Sequence, residues 1–450
     1  MDYHPAAMMA KRYFYLLVEE GFRELSSRLR IGDAILAPNL EVWIGQQWWF
    51  AENFDRLHPG VVLFKGSNSI QKVNMRRAKL AGHLVASIEE EAFGLAVFDG
   101  ENLFDFQVGR FCDLFCVQGE SLARFLRCMG IASETSISVT GNPRADLLRP
   151  PHDDKIRVEA ARIRERHGEF VLVNTNYASI NPYDIDVYNY YRRCIDAGVY
   201  DPENPEDLAK FDKLIEWEHQ NLKLIIQFIR RWPEYSTRRL VIRPHPSEAS
   251  GTWHHNLGGL DHVKIVDGTD HLSWIAASRA LVHTSSTTGL EAYLLGVPSA
   301  NLSPGKDPFS RHFLANLVNC TFEDVEVALK YAAAGAEQRD TAAPSGKQHA
   351  FQAMLLHHLL VDENETAARR VAQSLVRLSE RISRETDRSG SSSFVAIKNT
   401  TRQANKAGMD VATFTNLVRA VYSHAKEAEF PLIESVAPMV YRLRTESGGR

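Results

Sequence analysis

Residues 280–292 read Ala280-Leu281-Val282-His283-Thr284-Ser285-Ser286-Thr287-Thr288-Gly289-Leu290-Glu291-Ala292. A short apolar run, Ala280–Val282, gives way to hydroxyl side chains and one glycine. Apolar residues then return at helical spacing over Thr287–Leu295. Strand, polar turn and helix in that order form half of a parallel βαβ unit. The same alternation continues on either side. Upstream it predicts strands Phe170–Val173, Leu240–Ile242 and Val263–Val266 with helices Glu206–Ile229 and His271–Ala277; downstream it predicts strand Ser299–Leu302. Strands and helices in alternation argue for an open parallel sheet covered on both faces.

The first third repeats the pattern independently. Tyr13–Val18, Val42–Ile44, Val61–Phe64, Leu84–Ile88, Leu114–Val117 and Ile137–Val139 are strand candidates, and Phe22–Ala37 and Glu120–Cys128 are helices between them. Pro150–His167 is charged, opens on a Pro-Pro pair, and reads as a linker plus helix. The expected fold is therefore α/β with two Rossmann-like domains facing a cleft. Residues 1–150 form the acceptor-side domain and 151–310 the nucleotide-binding domain. Residues 311–450 form a helical extension and tail, with Phe322–Ala334, His349–Ile382 and one or two helices in Ala404–Arg442.

Composition bounds the function. The 450 residues are 44% hydrophobic with a net charge of −4, enough for two cores and without the basic field that would steer nucleic acid. No apolar run approaches the roughly 20 residues that span a bilayer. Met1–Ala10 lacks the basic-then-apolar pattern of a secretory signal. Five irregularly spaced cysteines suit free thiols in a reducing compartment, so the expected location is cytoplasmic. Cys112 and Cys116 stand in an apolar stretch with no second pair at zinc-site spacing, so they read as core.

Open α/β sheets take ligands beyond the carboxyl ends of their strands. Four polar clusters occupy that place. In Arg243-Pro244-His245-Pro246-Ser247-Glu248, two prolines fix a loop that presents a guanidinium and an imidazole to a phosphate or ribose; the plainer alternative is a rigid turn. Ser285, Ser286, Thr287, Thr288 and Gly289 precede a helix whose free N–H groups attract anions, although one of these hydroxyls would serve as an ordinary cap. Asn174-Thr175-Asn176 offers amides to a sugar, or forms a turn bonded to its own backbone. Glu89-Glu90-Glu91 places carboxylates after a strand, where one can act as a general base toward an acceptor hydroxyl, or where they simply complement a helix start. The loops Lys65-Gly66-Ser67-Asn68 and Gly141-Asn142-Pro143-Arg144 also follow strands, and Arg144 either pairs with Asp146 or faces the cleft.

Other signals are weaker. Asp184-Ile185-Asp186 matches a two-aspartate metal pattern but lies in an insert with no strand before it. His254-His255 lacks an i, i+4 partner. No Gly-x-Gly-x-x-Gly follows the first strand and no Walker sequence is present, so dinucleotide and ATP readings lose support. No metal and no cofactor are expected.

The ordered motifs resemble bacterial surface-carbohydrate biosynthesis proteins, GT-B glycosyltransferases akin to the retaining β-Kdo transferases of capsule and lipopolysaccharide assembly. The stretches are Arg23-Glu24-Leu25, Glu89-Glu90-Glu91, Val139 to Leu148, Asn174-Thr175-Asn176, Arg243 to Glu248, and Ser285 to Ala292, together covering roughly residues 12–305. The resemblance implies a GT-B-like fold and a CMP-activated donor, with Kdo as the sugar and a glycan or glycolipid as acceptor. The chain departs from the pattern where Ala92 stands in place of an expected glycine, and in the aromatic insert Tyr177–Tyr200.

On this reading Asn174, Asn176, Arg243, His245, Pro246, Glu248 and Ser285 to Gly289 hold the donor. Arg23, Glu89, Asn142 and Arg144 face the acceptor. Glu90 is the catalytic carboxylate with Glu91 beside it, and Asp184 is the second carboxylate if configuration is retained. Two alternatives share the architecture: a nucleotide-sugar epimerase or CDP-polyol phosphotransferase, and a non-catalytic assembly scaffold. Arg369, Arg370, Arg377, Arg381 and Arg384 on the C-terminal helices would then contact a partner or an anionic membrane surface, or form a solvated face.

Overall fold

The computed structural model describes residues 11–89, 93–95, 105–130, 136–183, 187–196, 200–268, 270–305, 313–318, 320–338, 355–382, 393–400, 403–404, 407–422 and 430–445. Contacts divide the chain into two compact units. One comprises Met1–Phe93, Phe98–Leu147 and Leu356–Arg450, and the other Gly94–Val97 and Leu148–Leu355.

The first unit is built on strands β1 (Arg12–Val18), β2 (Leu40–Gln46), β3 (Val61–Phe64), β4 (Leu84–Ile88), β5 (Leu114–Val117) and β6 (Ser136–Val139), all parallel. Phe14 to Val18 are buried without alternation, as a strand covered on both faces requires. The order β2-β1-β3-β4-β5-β6 reverses between β1 and β3, which makes that pair the topological switch point.

The C-terminal stretch corrects the expectation of an all-helical tail. Leu432–Ala437 and Val440–Arg444 form an antiparallel hairpin whose second strand pairs with β2, making an eight-stranded sheet. Gly45 permits the docking: a Cβ there would stand 2.7 Å from the Met439 carbonyl oxygen. Within Ala404–Arg442 Val411–Val421 is helical, as are Ala404 and Ala407, and the stretch expected as His349–Ile382 breaks between helical residues 355–358 and Ala367–Ser379. Phe322 ends a short strand, Cys320–Phe322, before helix Val325–Gln338.

Helix Ala367–Ser379 belongs to the first core. Val371 and Leu375 are fully buried with Leu16, Leu25 and Leu29, each such burial contributing about 1.5–3 kcal/mol. Asp146 accepts the amides of Ala367 and Ala368 at 3.1 and 2.9 Å and so caps this helix. Arg370 turns inward, donating to the Thr140 and Glu365 carbonyls at 2.7 and 2.6 Å. Arg381 stands 3.6 Å from Asp113, Arg369 and Arg377 are exposed, and Arg384 lies outside the described residues. Part of the arginine row is thus structural.

The second unit holds six parallel strands: β7 (Phe170–Asn174), β8 (Arg239–Arg243), β9 (Val263–Ile265), β10 (Ala280–His283), β11 (Ser299–Leu302) and β12 (Cys320–Phe322). Their order is β12-β11-β10-β7-β8-β9. It is the dinucleotide-type winding, with its switch point between β7 and β10. Helix Pro205–Arg231 starts on Asn204, whose side chain accepts the Glu206 amide, with Pro205 in its first turn. It buries Ile225, Phe228 and Ile229 against Val171, Val173, Leu240 and Ile242.

Candidate functional site

The carboxyl ends of β10, β7 and β8 lie side by side, and His283, Asn174 and Arg243 are register partners across them. Each is the last residue of its strand, so three polar side chains end three neighbouring strands at the switch point. All three are buried.

Burial sets their chemistry. The Arg243 guanidinium donates through Nη2 to the Gly268 carbonyl at 2.5 Å and stands 6.0 Å from the Trp274 ring centroid. Burial lowers it to about 10, against the pull of Asp270 and Asp267, and it stays cationic at neutral pH. Burial lowers His283 to about 3, so this imidazole is neutral. Its Nδ1 accepts the Ser286 amide at 3.3 Å. Among the described residues, Asn174 Oδ1, Arg243 Nε and Ser285 Oγ are buried polar atoms without a hydrogen-bond partner. Such atoms cost about 1–3 kcal/mol each, and they gather at one strand edge.

The turn after β10 is strained. Ser285 has φ +45°, a conformation that glycine adopts freely and serine does not. Its amide donates to Asn301 Oδ1 at 2.7 Å. Ser286 Oγ accepts from the Thr288 amide at 3.3 Å and lies 3.1 Å from the Thr288 hydroxyl. Thr287, at the N-cap of helix Thr288–Leu294, makes no side-chain cap bond.

The loop after β8 is fastened by Glu248. This buried carboxyl accepts from the Thr175 hydroxyl at 2.7 Å, the His245 amide at 2.9 Å and Trp253 Nε1 at 3.0 Å. Burial raises it, against those donors. Glu248 thus positions the loop. His245 and Pro246 are exposed at its tip, where the Ser247 amide donates to His245 Nδ1 at 3.2 Å. Asn176 is exposed as well, and Gly289 is buried.

In the first unit, Lys65 and Glu19 follow β3 and β1 and pair at 2.7 Å across its switch point. Glu89 is buried after β4 and hydrogen-bonded to the Ser67 hydroxyl. Asn142 is buried, accepts the Arg144 amide at 2.9 Å and starts helix Pro143–Asp146. The Arg144 guanidinium lies 4.4 Å from the Phe93 ring centroid, and Asp146 accepts the Ala367 and Ala368 amides. Arg23 is exposed and bonded to Glu20 at 3.2 Å. Glu90, Glu91 and Asp184 lie outside the described residues.

Sequence reasoning quoted His283 and Lys65 in their post-strand stretches without giving either a role, and it missed Asn301 and Glu19 as members of these strand ends. The available signal was a polar residue closing an otherwise buried strand. Among the described residues, no group of three or more His, Cys, Asp or Glu side chains is suited to a metal ion. No described helix is long and apolar enough to cross a membrane.

No protein-family model and no curated protein matches the chain. Solved structures do. The UDP-GlcNAc 2-epimerase of Methanocaldococcus jannaschii, in complex with UDP-GlcNAc and UDP, aligns with 82% of this chain and 100% of its own at 15% identity and a TM-score of 0.50. The UDP-bound MnaA of S. aureus aligns over 77% of this chain and 95% of its own at 15% identity and TM-score 0.46. The wall teichoic acid polymerase TagF aligns over 82% and 89% at 12% identity and TM-score 0.44. None of these three is a Kdo transferase. At such identities likeness carries the fold, and the fold of this chain is GT-B-like: two α/β units with additional helices.

Proposed function

We propose that the chain is a nucleotide-sugar-dependent glycosyltransferase of bacterial surface-polysaccharide assembly. The donor binds at the strand ends of the second unit, and the first unit takes a glycan or glycolipid acceptor. The observation that carries this reading is the convergence of Asn174, Arg243 and Ser285 on the β7/β10 switch point, each with a buried polar atom left without a partner among the described residues. A ligand bearing phosphate and ribose would supply those partners.

The chemistry asks little more of this unit. The departing nucleotide carries growing phosphate charge. Arg243 offers a fixed cation, and Ser286 to Gly289 offer hydroxyl and backbone donors, with His245 at the loop tip. No metal is needed for that step. Glu90, with Glu91 beside it, is proposed as the base that accepts the acceptor's hydroxyl proton. Asp184 is the second carboxylate should the reaction retain configuration. Arg23, Glu89, Asn142 and Arg144 are proposed on the acceptor side.

The motif resemblance makes CMP-Kdo the donor we propose, for a capsule or lipopolysaccharide product. A second reading, a UDP-sugar epimerase, is favoured by the alignment over the full length of the archaeal epimerase. Calorimetric titration with CMP, UMP, UDP, GMP and NAD tests the nucleotide. Selective CMP binding, lost on Arg243→Ala, supports the proposal. A uridine preference moves the donor to a UDP-sugar. Incubation with donor alone then decides between the enzymes: an isomer formed without acceptor means epimerase. Binding of no nucleotide would end both readings and leave a scaffold.

A further inference from the structure

Strand β11 is buried at every position, and Ala300 and Leu302 are the apolar residues such a strand calls for. Asn301 stands between them with its side chain fully enclosed. An amide placed there is costly unless its polar atoms find partners. Its Oδ1 accepts the backbone amide of Ser285 at 2.7 Å, and its Nδ2 donates to the Thr321 hydroxyl at 3.4 Å.

The strand register explains the reach. Arg243, Asn174, His283, Asn301 and Thr321 are successive partners across β8, β7, β10, β11 and β12, a single polar row over five of the six strands. Two neighbours in that row hold two consecutive amides of the turn after β10. Asn301 takes that of Ser285, and His283 Nδ1 takes that of Ser286 at 3.3 Å. Between these two bonds stands the left-handed backbone of Ser285, with φ +45°. A serine leaves that conformation when nothing holds it, as a glycine need not. Its release would swing the Ser285 hydroxyl, a buried group without a partner among the described residues, away from the edge it shares with Asn174 and Arg243.

We propose that Asn301 is a positioning residue of the donor site: it holds Ser285 in the left-handed conformation and so aims the Ser285 hydroxyl at the bound nucleotide. The nucleotide rests on the functional reading above, whereas the hold on Ser285 does not. Asn301 acts through Ser285, so its contribution to binding should depend on the serine being present.

The test compares wild type, Asn301→Leu, Asn301→Asp, Ser285→Gly and the double variant Asn301→Leu with Ser285→Gly. Affinity for CMP and UDP is read by calorimetry, and amide hydrogen exchange is read over residues 283–288, corrected for intrinsic rate. Asn301→Leu keeps the volume without an acceptor; it should weaken binding about tenfold and expose the Ser285 amide to exchange. Asn301→Asp keeps an acceptor and should retain protection of that amide. In the Ser285→Gly background the change to leucine should weaken binding less than about threefold, because the hydroxyl it would misdirect is gone. Equal losses in the two backgrounds overturn the positioning role, as does lost protection with unchanged affinity. Unchanged protection in Asn301→Leu overturns the hold itself. If Asn301→Leu does not fold, Asn301→Ala takes its place, and failure of both overturns the assignment in favour of a purely structural duty. If wild type binds neither nucleotide, the positioning role falls with the functional reading, and exchange in wild type against Asn301→Leu still decides the hold on Ser285.

Discussion

Thr175 and Glu248 join two neighbouring strands just past their ends: the threonine hydroxyl donates to the buried carboxyl at 2.7 Å. The same carboxyl holds the His245 amide and the Trp253 indole. Glu248→Ala leaves buried donors on both sides of the β7–β8 pair without acceptors, at about 1–3 kcal/mol for each. The unfolding midpoint in urea should fall by the equivalent of roughly 3 kcal/mol or more. Glu248→Gln, which retains one acceptor oxygen, should lose about half as much.

Ser285 should trade stability for binding. A left-handed serine costs on the order of 1 kcal/mol relative to glycine. Ser285→Gly removes that cost together with a buried hydroxyl lacking a partner. The unliganded protein should gain about 0.5–1 kcal/mol, read as a rise of a few degrees in Tm, roughly 2–4 °C for 1 kcal/mol in a unit of this size. Nucleotide affinity should fall in the same variant. A loss of Tm, or unchanged affinity, would show that the strain serves no ligand.

Asp146 is a cap whose helix lies more than 200 positions away in sequence. Asp146→Ala should cost about 1–2 kcal/mol, in the range measured for helix N-caps. Asp146→Asn should recover part of it. Denaturant unfolding of the two variants, with intact nucleotide binding as the control, checks that the duty is structural.

His283 gives the protein an acid limit. Its folded value, about 3, is below the unfolded value of roughly 6.5. The unfolded chain therefore takes up the proton first. Stability is fully present above pH 6.5 and declines as pH falls toward 3, by up to about 1.4 kcal/mol per pH unit. His283→Gln, which keeps an acceptor for the Ser286 amide, should show a flatter fall in Tm between pH 6.5 and 4.

The parallel strands were legible because burial on both faces leaves continuous apolar runs, as at Phe14–Val18 and Val171–Val173. Asn174, Arg243 and Ser285 were legible for a related reason: a polar residue just after such a run stands at the ligand edge of an open sheet. The terminal hairpin was not. Leu432–Ala437 is an edge strand with only partial burial, and Arg442 pairs with Glu434 and Glu41 on its neighbours. Such a strand lacks an apolar signature, and the helical spacing of Val411 to Val421 carries the eye past its end. Asn301 was illegible for a different reason. It lies inside the strand Ser299–Leu302, and only the pairing of that strand with β10 brings its amide to the Ser285 turn. Asp146 likewise offered its carboxylate to any nearby cation on paper, and the partner it found was a distant backbone.

The hairpin also has a meaning in time. Its second strand, Val440–Arg444, pairs with β2 near the opposite end of the chain, and residues 148–355 of the other unit are synthesised between. On a ribosome adding roughly 5–20 residues per second, the edge of β2 waits on the order of 20–80 s for its neighbour. Throughout that interval β2, almost wholly buried in the finished fold, stands as an edge strand in the place later taken by the half-exposed Leu432–Ala437, while the interposed unit has all its own strands in hand. The second unit is thus free to fold first. A nascent chain halted before residue 430 exposes a strand border that other chains can pair with, so the vulnerability of this protein lies in its synthesis as much as in its finished form.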